Sequence, residues 1–175
     1  MSKTFAEPAT TSSLSSAAAR STISTATVPS WSVIVQSDLA SSHVGQHLKH
    51  RGIKVKRAES VLKGSVIFPK AKVAFMVLEV TRQFLTQFAE TENSPIASPS
   101  NDYTAALARV DKFTRIHGHC YILLQAPLFT ERELAFLYHL QTRYLDVMSV
   151  DILISHSAEE CVSAMLTIST VSKKN

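Results

Sequence analysis

Two short apolar runs joined by a turn stand at the centre of the chain's hydrophobic pattern. Residues 63–80 have the sequence K-G-S-V-I-F-P-K-A-K-V-A-F-M-V-L-E-V, in which V-I-F and V-A-F-M-V-L flank a P-K-A-K turn. Runs this short, rich in valine, isoleucine and phenylalanine and bounded by glycine and proline, are typical of strands buried on both faces. Such strands lie in the middle of a sheet that helices cover on both sides. Chemistry in α/β folds usually gathers at strand ends, and these ends carry almost no reactive side chains.

The rest of the pattern places this pair in a larger α/β fold. Strands are predicted at 31–36, 53–56, 61–68, 73–80, 119–126 and 150–155, and helices at 39–50, 81–90, 103–117, 131–145 and after Ser157. Residues 91–102, which include two prolines, are expected to form a loop. Strands separated by helices of this length indicate a mostly parallel central sheet with helices on both faces. The run of three strands at 53–80 is expected to be its antiparallel part.

Helical spacing predicts which side chains two of these helices bury. For the helix at 103–117 the predicted stripe is Tyr103, Leu107, Val110, Phe113 and His117. The helix at 131–145 starts after a capping box formed by Thr130 and Glu133. Its predicted buried stripe is Leu134, Leu137, Tyr138, Gln141 and Leu145.

The first thirty residues differ from the rest of the chain. Residues 1–30 are mostly serine, threonine and alanine, so they cannot bury enough surface to offset their ordering entropy. We predict a disordered tail there, although its low acid content also resembles a transit peptide. The folded domain is predicted at 31–170, and residues 171–175 form a short C-terminal tail.

Charge, cysteine content and missing motifs narrow the functional class. The formal net charge of +4 and the pI of about 9.2 favour a nucleic acid or an acidic partner. Cys120 and Cys161 lie within apolar patterns, which indicates buried thiols in a reducing compartment. No apolar run reaches the ~18–20 residues that span a bilayer, so no membrane contact is expected. The sequence has neither G-x-x-x-x-G-K-[ST] nor G-x-G-x-x-G, which argues against a glycine-rich phosphate cradle.

Histidines supply the next candidate chemistry. His43, His47 and His50 have i, i+4, i+7 spacing, but a zinc site needs further ligands and no acid is near them in sequence. A solvated helix face is the favoured interpretation. His117 and His119, next to Cys120, leave open a small-molecule site in a Rossmann-like enzyme, against the simpler interpretation of helix-end capping and a buried thiol.

Basic residues are concentrated in one segment. Eight lysines and arginines lie within 24 residues, with Glu59 as the only acid among them: Lys49, Arg51, Lys54, Lys56, Arg57, Lys63, Lys70 and Lys72. This segment is the natural phosphate-facing surface if the protein binds nucleic acid. The alternative is a set of solubilising lysines on an exposed edge.

The same segment carries a family resemblance. The series H-L-K-H-R-G-I-K-V-K-R, G-S-V-I-F and V-A-F-M-V-L-E resembles the nuclease domain of the XPF/ERCC excision-repair family. That family has G-D at one strand end and E-R-K on the next strand. Aligned with this sequence, G-D falls on Gly64-Ser65, E-R-K falls approximately on Ala74-Phe75-Met76, and an earlier strand acid falls near Gln36. The resemblance therefore implies that no metal or other cofactor is held and that the chain is not an active nuclease.

A narrower resemblance covers residues 31–170. The motifs that carry it are G-S-V-I-F (64–68), V-A-F-M-V-L (73–78), V-D-K-F-T-R-I-H (110–117), Y-I-L-L (121–124), L-Q-T-R-Y-L (140–145) and S-A-M-L-T-I-S (163–169). They resemble the vertebrate meiotic sporulation-protein-sixteen family, an inactive ERCC-like branch of the superfamily. The family normally adds a C-terminal helix-hairpin-helix element, whereas this chain stops at Asn175, so none is expected here.

The resemblance implies a meiotic recombination factor in the nucleus, on chromosomes. Its members pair with a larger XPF-like protein of the shortage-in-chiasmata (Zip-two) type, bind branched recombination intermediates, and promote crossovers and synapsis. DNA contact is expected at Lys49, Arg51, Lys54, Lys56 and Arg57. Partner contact is expected at Phe136, Tyr144 and Met165, which could instead belong to the core. A Rossmann-like enzyme and a protein-binding adaptor without DNA contact stay open as alternatives.

Overall fold

The computed structural model describes residues 31–93, 102–144 and 150–173. The predicted tail at 1–30, most of the predicted loop at 91–102, and Leu145 of the predicted helical stripe lie outside the described residues. None of the helices in the described part of the chain is long and apolar enough to cross a membrane.

The described residues form six strands and six helices in the predicted order, with one helix divided in two. The elements are β1 (Ser32–Gln36), α1 (Ser37–Ser41), α2 (His43–His50), β2 (Lys54–Ala58), β3 (Ser65–Phe68), β4 (Val73–Glu79), α3 (Arg82–Asn93), α4 (Asp102–Ile116), β5 (Cys120–Gln125), α5 (Glu131–Arg143), β6 (Val150–Ser155) and α6 (Ala158–Ser172). The predicted helix at 39–50 breaks at Ser42, whose backbone is extended and whose hydroxyl donates to the Leu39 carbonyl at 2.7 Å.

The six strands form one mixed sheet in the order β2-β1-β3-β4-β5-β6. Three neighbouring pairs are parallel, namely β1 with β2, β4 with β5 and β5 with β6. Only β3 runs antiparallel to its neighbours, β1 and β4. The mostly parallel sheet is confirmed, but the expectation that all three strands at 53–80 pair antiparallel is wrong. Helices α1 and α2 connect β1 to β2, which lies next to β1 at the edge of the sheet and runs parallel to it. Parallel neighbouring strands need a crossover connection of this kind.

Helices cover both faces of the sheet, so the structure has two hydrophobic cores. On one face α1, α2 and α6 pack on Val33, Val35, Val66, Phe75 and Val77. On the other face α3, α4 and α5 pack on Ala74, Met76, Leu78, Ile122 and Leu124. Strand β4 contributes alternate side chains to both cores, and its first six residues are all buried. The layered α/β fold expected from the sequence is therefore confirmed.

The predicted buried stripe is correct for α4 and wrong for α5. Helix α4 buries Tyr103, Val110 and Phe113 as expected. Helix α5 instead buries Phe136, Leu140 and Tyr144, while two members of its predicted stripe are exposed: Leu134 by 49% and Tyr138 by 71%. Aromatic packing decides the orientation, because the Phe136 ring lies 5.0 Å from that of Phe84 and 5.4 Å from that of Phe88.

A polar contact fixes α5 against α4. Asp111 of α4 accepts from Tyr144 Oη at 2.6 Å and from Arg143 Nη2 at 2.8 Å. Burial raises the pKa of Asp111, but the hydrogen bonds from Arg143 and Tyr144 outweigh it and hold that pKa below its ordinary value. The carboxylate is therefore the form that stabilises this pair of helices.

A glycine controls the approach of β3 to β4. Gly64 has φ +86, and a Cβ there would lie 2.7 Å from the Val77 carbonyl oxygen, which real Cβ atoms do not approach so closely. The Gly64 carbonyl also accepts from Val77 N at 2.9 Å. Only glycine fits this position without moving β4.

We predict that Gly64→Ala destabilises the fold by about 2–4 kcal/mol, since left-handed strain adds to a backbone clash. Gly52→Ala is the matched control, because Gly52 has φ +75 with nothing within 4 Å of an added Cβ. Gly52→Ala should lower the free energy of unfolding by only about 1 kcal/mol. Urea unfolding of both variants measures the two costs, and equal losses would contradict the clash with β4.

Asp111→Asn should lower the free energy of unfolding at neutral pH by about 1–2 kcal/mol. Because the folded-state pKa of Asp111 lies below its ordinary value, this stability exists above the unfolded-state pKa and is lost as pH falls through the folded-state value. Denaturant titrations from pH 7 to pH 2.5 should show the wild type and the variant converging. Tyr144→Phe controls for the loss of one hydrogen bond. If wild type and Asp111→Asn still differ in stability at acid pH, the ionised Asp111 is not the source of that stability.

Candidate nucleic-acid interface and strand-end cleft

A cleft opens at the carboxyl ends of the central strands. It has a volume of about 410 Å³, and its walls include Gln36 at the end of β1, Gly64 before β3, Glu79 at the end of β4 and Gln125 at the end of β5. Glu79 and Gln125 are neighbours in the β4–β5 register. Parallel strands bring their ends to one edge of the sheet, which is where α/β folds place their ligands.

The cleft carries charges of both signs. Its lining includes Asp38, Glu79 and Asp102 as acids, and Lys63 and Arg109 as bases. In the described ranges no three histidine, cysteine, aspartate or glutamate side chains lie close enough together to hold a metal ion. Two of the strand ends carry amides, Gln36 and Gln125, which are weaker ligands for Mg²⁺ than carboxylates.

Of the positions that the sequence alignment assigned to the nuclease motif, Gln36 and Gly64 line this cleft, whereas the other four do not. Ser65, Ala74, Phe75 and Met76 are buried inside the sheet, and Ser65 pairs with Met76 in the β3–β4 register. The approximate E-R-K assignment to Ala74-Phe75-Met76 stays a prediction; β4 continues for three further residues before it ends at the cleft. The acidic residue of β4 that does reach the cleft is Glu79.

The histidine and cysteine candidates are not assembled into a catalytic group. His43 lines the cleft, whereas His50 is exposed at the other end of α2. His117 packs its ring 4.7 Å from that of Phe113, and burial lowers its pKa. His117, His119 and Cys120 lie at the amino end of β5, while the cleft lies at its carboxyl end.

Both cysteines are buried thiols. Burial, with the charge of Asp151, raises the pKa of Cys120 to about 11, so its thiolate is scarce at neutral pH. Burial also raises the pKa of Cys161, whose Sγ lies 2.8 Å from Ser155 Oγ. Neither thiol is prepared for nucleophilic chemistry, which removes the main support for the enzyme alternative.

The five basic residues expected to contact DNA gather around the edge strand β2 and the turn before it. Lys54, Lys56 and Arg57 are exposed on β2 itself. In the β1–β2 register Lys56 pairs with Ile34, and Arg57 pairs with the buried Val35. Paired residues point to the same face, so Arg57 lies on the face covered by α2 and the two lysines lie on the other face.

Lys49 and Arg51 are exposed but already make contacts within the chain. Lys49 Nζ donates to the Ala40 carbonyl at 3.3 Å. Arg51 Nη2 lies 3.3 Å from Glu159 Oε1 and 3.5 Å from Ser163 Oγ. Contacts as exposed as these are weak, yet they leave Lys54, Lys56 and Arg57 as the more accessible cations on the predicted surface.

The residues predicted to contact a partner belong to the core. Phe136 and Met165 are fully buried and Tyr144 is 7% exposed. The partner prediction for these three residues is therefore wrong, and the alternative that they are core residues is correct. Their apolar character indicates burial, but the sequence does not tell burial within the chain from burial against a second chain.

A different apolar surface was missed by the sequence reasoning. Leu128, Leu134, Tyr138 and Ile154 are exposed by 49% or more. The sequence did place large apolar residues along α5, because Leu134 and Tyr138 belong to its predicted stripe. In the structure these two side chains are exposed rather than buried.

Comparison with known proteins identifies the family. The family model described as Protein SPO16 homolog matches residues 29–175. This chain belongs to the SPO16 homolog family. The human Protein SPO16 homolog is 29% identical to it over 142 residues, which cover 81% of this chain and 70% of the human protein. The resemblance to the sporulation-protein-sixteen family is thereby confirmed.

The fold is similar to that of solved XPF structures. XPF from Aeropyrum pernix superposes with a TM-score of 0.58 at 12% identity, covering 82% of this chain and 66% of that one. XPF from the same organism in complex with DNA gives a TM-score of 0.56, also at 12% identity and with the same coverage. These likenesses confirm the XPF-like fold class predicted from the sequence.

Proposed function

We propose that this SPO16 family member is a non-catalytic meiotic recombination factor that works as one subunit of a heterodimer. Its partner is an XPF-like protein of the shortage-in-chiasmata (Zip-two) type. The pair binds branched recombination intermediates on meiotic chromosomes in the nucleus and promotes crossover formation and synapsis. The observation that carries the proposal is family membership together with an XPF-like fold whose exposed basic residues gather on one edge strand.

DNA contact is supported by the arrangement of the β2 edge. Lys54 and Lys56 are exposed on one face of β2, next to Ser32 and Ile34 of β1. Lys63 lines the cleft at the carboxyl end of the same sheet. A basic surface of this kind contacts phosphates, so binding should weaken with salt and show little sequence preference.

A role without catalysis is supported by the chemistry of the cleft. XPF-type nucleases cut DNA with divalent ions held by several carboxylates. Here Gln36 and Gln125 supply amides at two strand ends, and the acids that line the cleft, Asp38, Glu79 and Asp102, do not form a metal-binding group in the described residues. Binding branched DNA without cutting it is the activity that such a cleft favours.

The experiment that tests the proposal is co-expression with the XPF-like partner, followed by binding of the purified complex to a four-way DNA junction at 50 and 200 mM salt. We expect a stable complex whose junction affinity falls steeply with salt. A chain that ignores the partner would contradict the heterodimer. A complex that forms and fails to bind the junction would favour the adaptor alternative.

The double variant Lys54→Gln/Lys56→Gln should weaken junction binding and reduce the slope of log affinity against log salt by about 2, one unit for each lost phosphate contact. The matched control is Lys112→Gln/Arg115→Gln, which removes two exposed charges from α4 on a different part of the surface. Pairing with the partner should be unchanged in both. Equal slopes for the two double variants would mean that the β2 lysines are only solubilising.

A further inference from the structure

The two edges of the sheet differ in how they are protected. An edge strand exposes a row of unpaired backbone groups, and proteins commonly block such edges with lysine or other charges. Strand β2, with the sequence K-V-K-R-A, has three basic residues. Strand β6, with the sequence V-D-I-L-I-S, has six residues and only one charge, Asp151. The outer edge of β6 therefore lacks the protection that β2 has.

The backbone groups that β6 presents outward can be assigned. The Ser155 carbonyl accepts from Ala126 N at 3.0 Å, so the backbone of Ser155 points toward the β5 side. Backbone groups alternate sides along a strand. Val150, Ile152 and Ile154 therefore direct their N–H and C=O groups away from β5, and no strand in the described part of the chain pairs with them.

Exposed apolar side chains lie beside this edge. The ring of Phe129, which precedes α5, lies 5.5 Å from that of His156, which follows β6, so the start of α5 is close to the end of β6. Leu128, which directly precedes Phe129, is exposed by 70%, and Ile154, two residues before His156, is exposed by 49%. An open strand edge and apolar side chains thus share one region of the surface.

Helix α5, which begins beside this region, also carries exposed apolar side chains. Arg143 contacts Asp111 and so marks the flank of α5 that faces α4. Leu134 is nine residues earlier, which at 3.6 residues per turn places it about 180° around the helix from Arg143. Leu134 and Tyr138, about one turn apart, lie on the solvent face of α5, since each is about 200° around the helix from the buried Phe136.

We propose that the outer edge of β6 binds an extended segment of the partner protein as a seventh strand of the sheet. The N–H and C=O groups of Val150, Ile152 and Ile154, which no strand of the described residues pairs, recognise another backbone, which an apolar helix surface would not do. The added strand would place apolar side chains on the α5 side, where Ile154 is exposed, and a basic side chain near Asp151 on the opposite face. This inference rests on the proposed heterodimer and specifies how its two chains join.

Proline substitution tests the backbone contact directly. Ile154→Pro removes an N–H that points outward, and proline is tolerated on edge strands in that orientation. Ile154→Thr is the matched control, since it keeps the N–H and also shortens the side chain. We expect both variants to fold, as judged by circular dichroism. Ile154→Pro should weaken capture of the co-expressed XPF-like partner at least ~10-fold more than Ile154→Thr, because proline removes a backbone donor and its ring also crowds the added strand.

Hydrogen exchange gives a readout that needs no variant. In the wild-type complex the amides of Ile152 and Ile154 should exchange at least ~10-fold more slowly than in the chain alone, because a new strand protects them. Amides already protected in the chain alone, or equally fast in the complex, would overturn strand addition.

The outcomes separate this inference from the proposed function. A complex that forms equally well with Ile154→Pro and Ile154→Thr overturns strand addition and leaves the heterodimer standing. Absence of any complex overturns both. A dimer of two copies of this chain, joined through β6, would also overturn the proposal, because the edge would then serve self-association.

Discussion

The fold depends on one strand that is buried on both faces. Six successive residues of β4 are buried, and its side chains enter the two cores alternately: Phe75 and Val77 on the α6 side, Ala74 and Met76 on the α4 side. A strand in this position requires a helix layer on each face and cannot itself carry polar chemistry. Polar side chains can appear only where β4 ends, and Glu79 is the residue found there.

That constraint moves function to the ends and edges of the sheet. The cleft at the strand ends combines Glu79 with the amides of Gln36 and Gln125. The β2 edge carries exposed lysines, whereas the β6 edge is apolar apart from Asp151. A scaffold with one basic edge and one apolar edge suits a protein that joins DNA to a second chain, with no need for a reaction between them.

The sequence predicted the layers well and the outer surfaces poorly. Apolar runs such as 73–78 are most stable in the centre of a sheet covered by helices, so the central strands and the order of elements followed from the pattern alone. Helix α5 has large apolar residues on more than one face, and only the aromatic contacts of Phe136 with Phe84 and Phe88 select the buried one. The same ambiguity explains why Tyr144 was assigned to a partner surface. The nuclease motif is hard to place along β4 from the sequence, because the strand is uniformly apolar until Glu79.

We propose that this XPF-like scaffold binds branched DNA and does not cleave it. To test this, the purified heterodimer is incubated with a labelled four-way junction and Mn²⁺ or Mg²⁺, and native and denaturing gels are compared. We expect a retarded junction in the native gel and full-length strands in the denaturing gel. Cleaved strands whose formation is abolished by Glu79→Gln in this chain would contradict it.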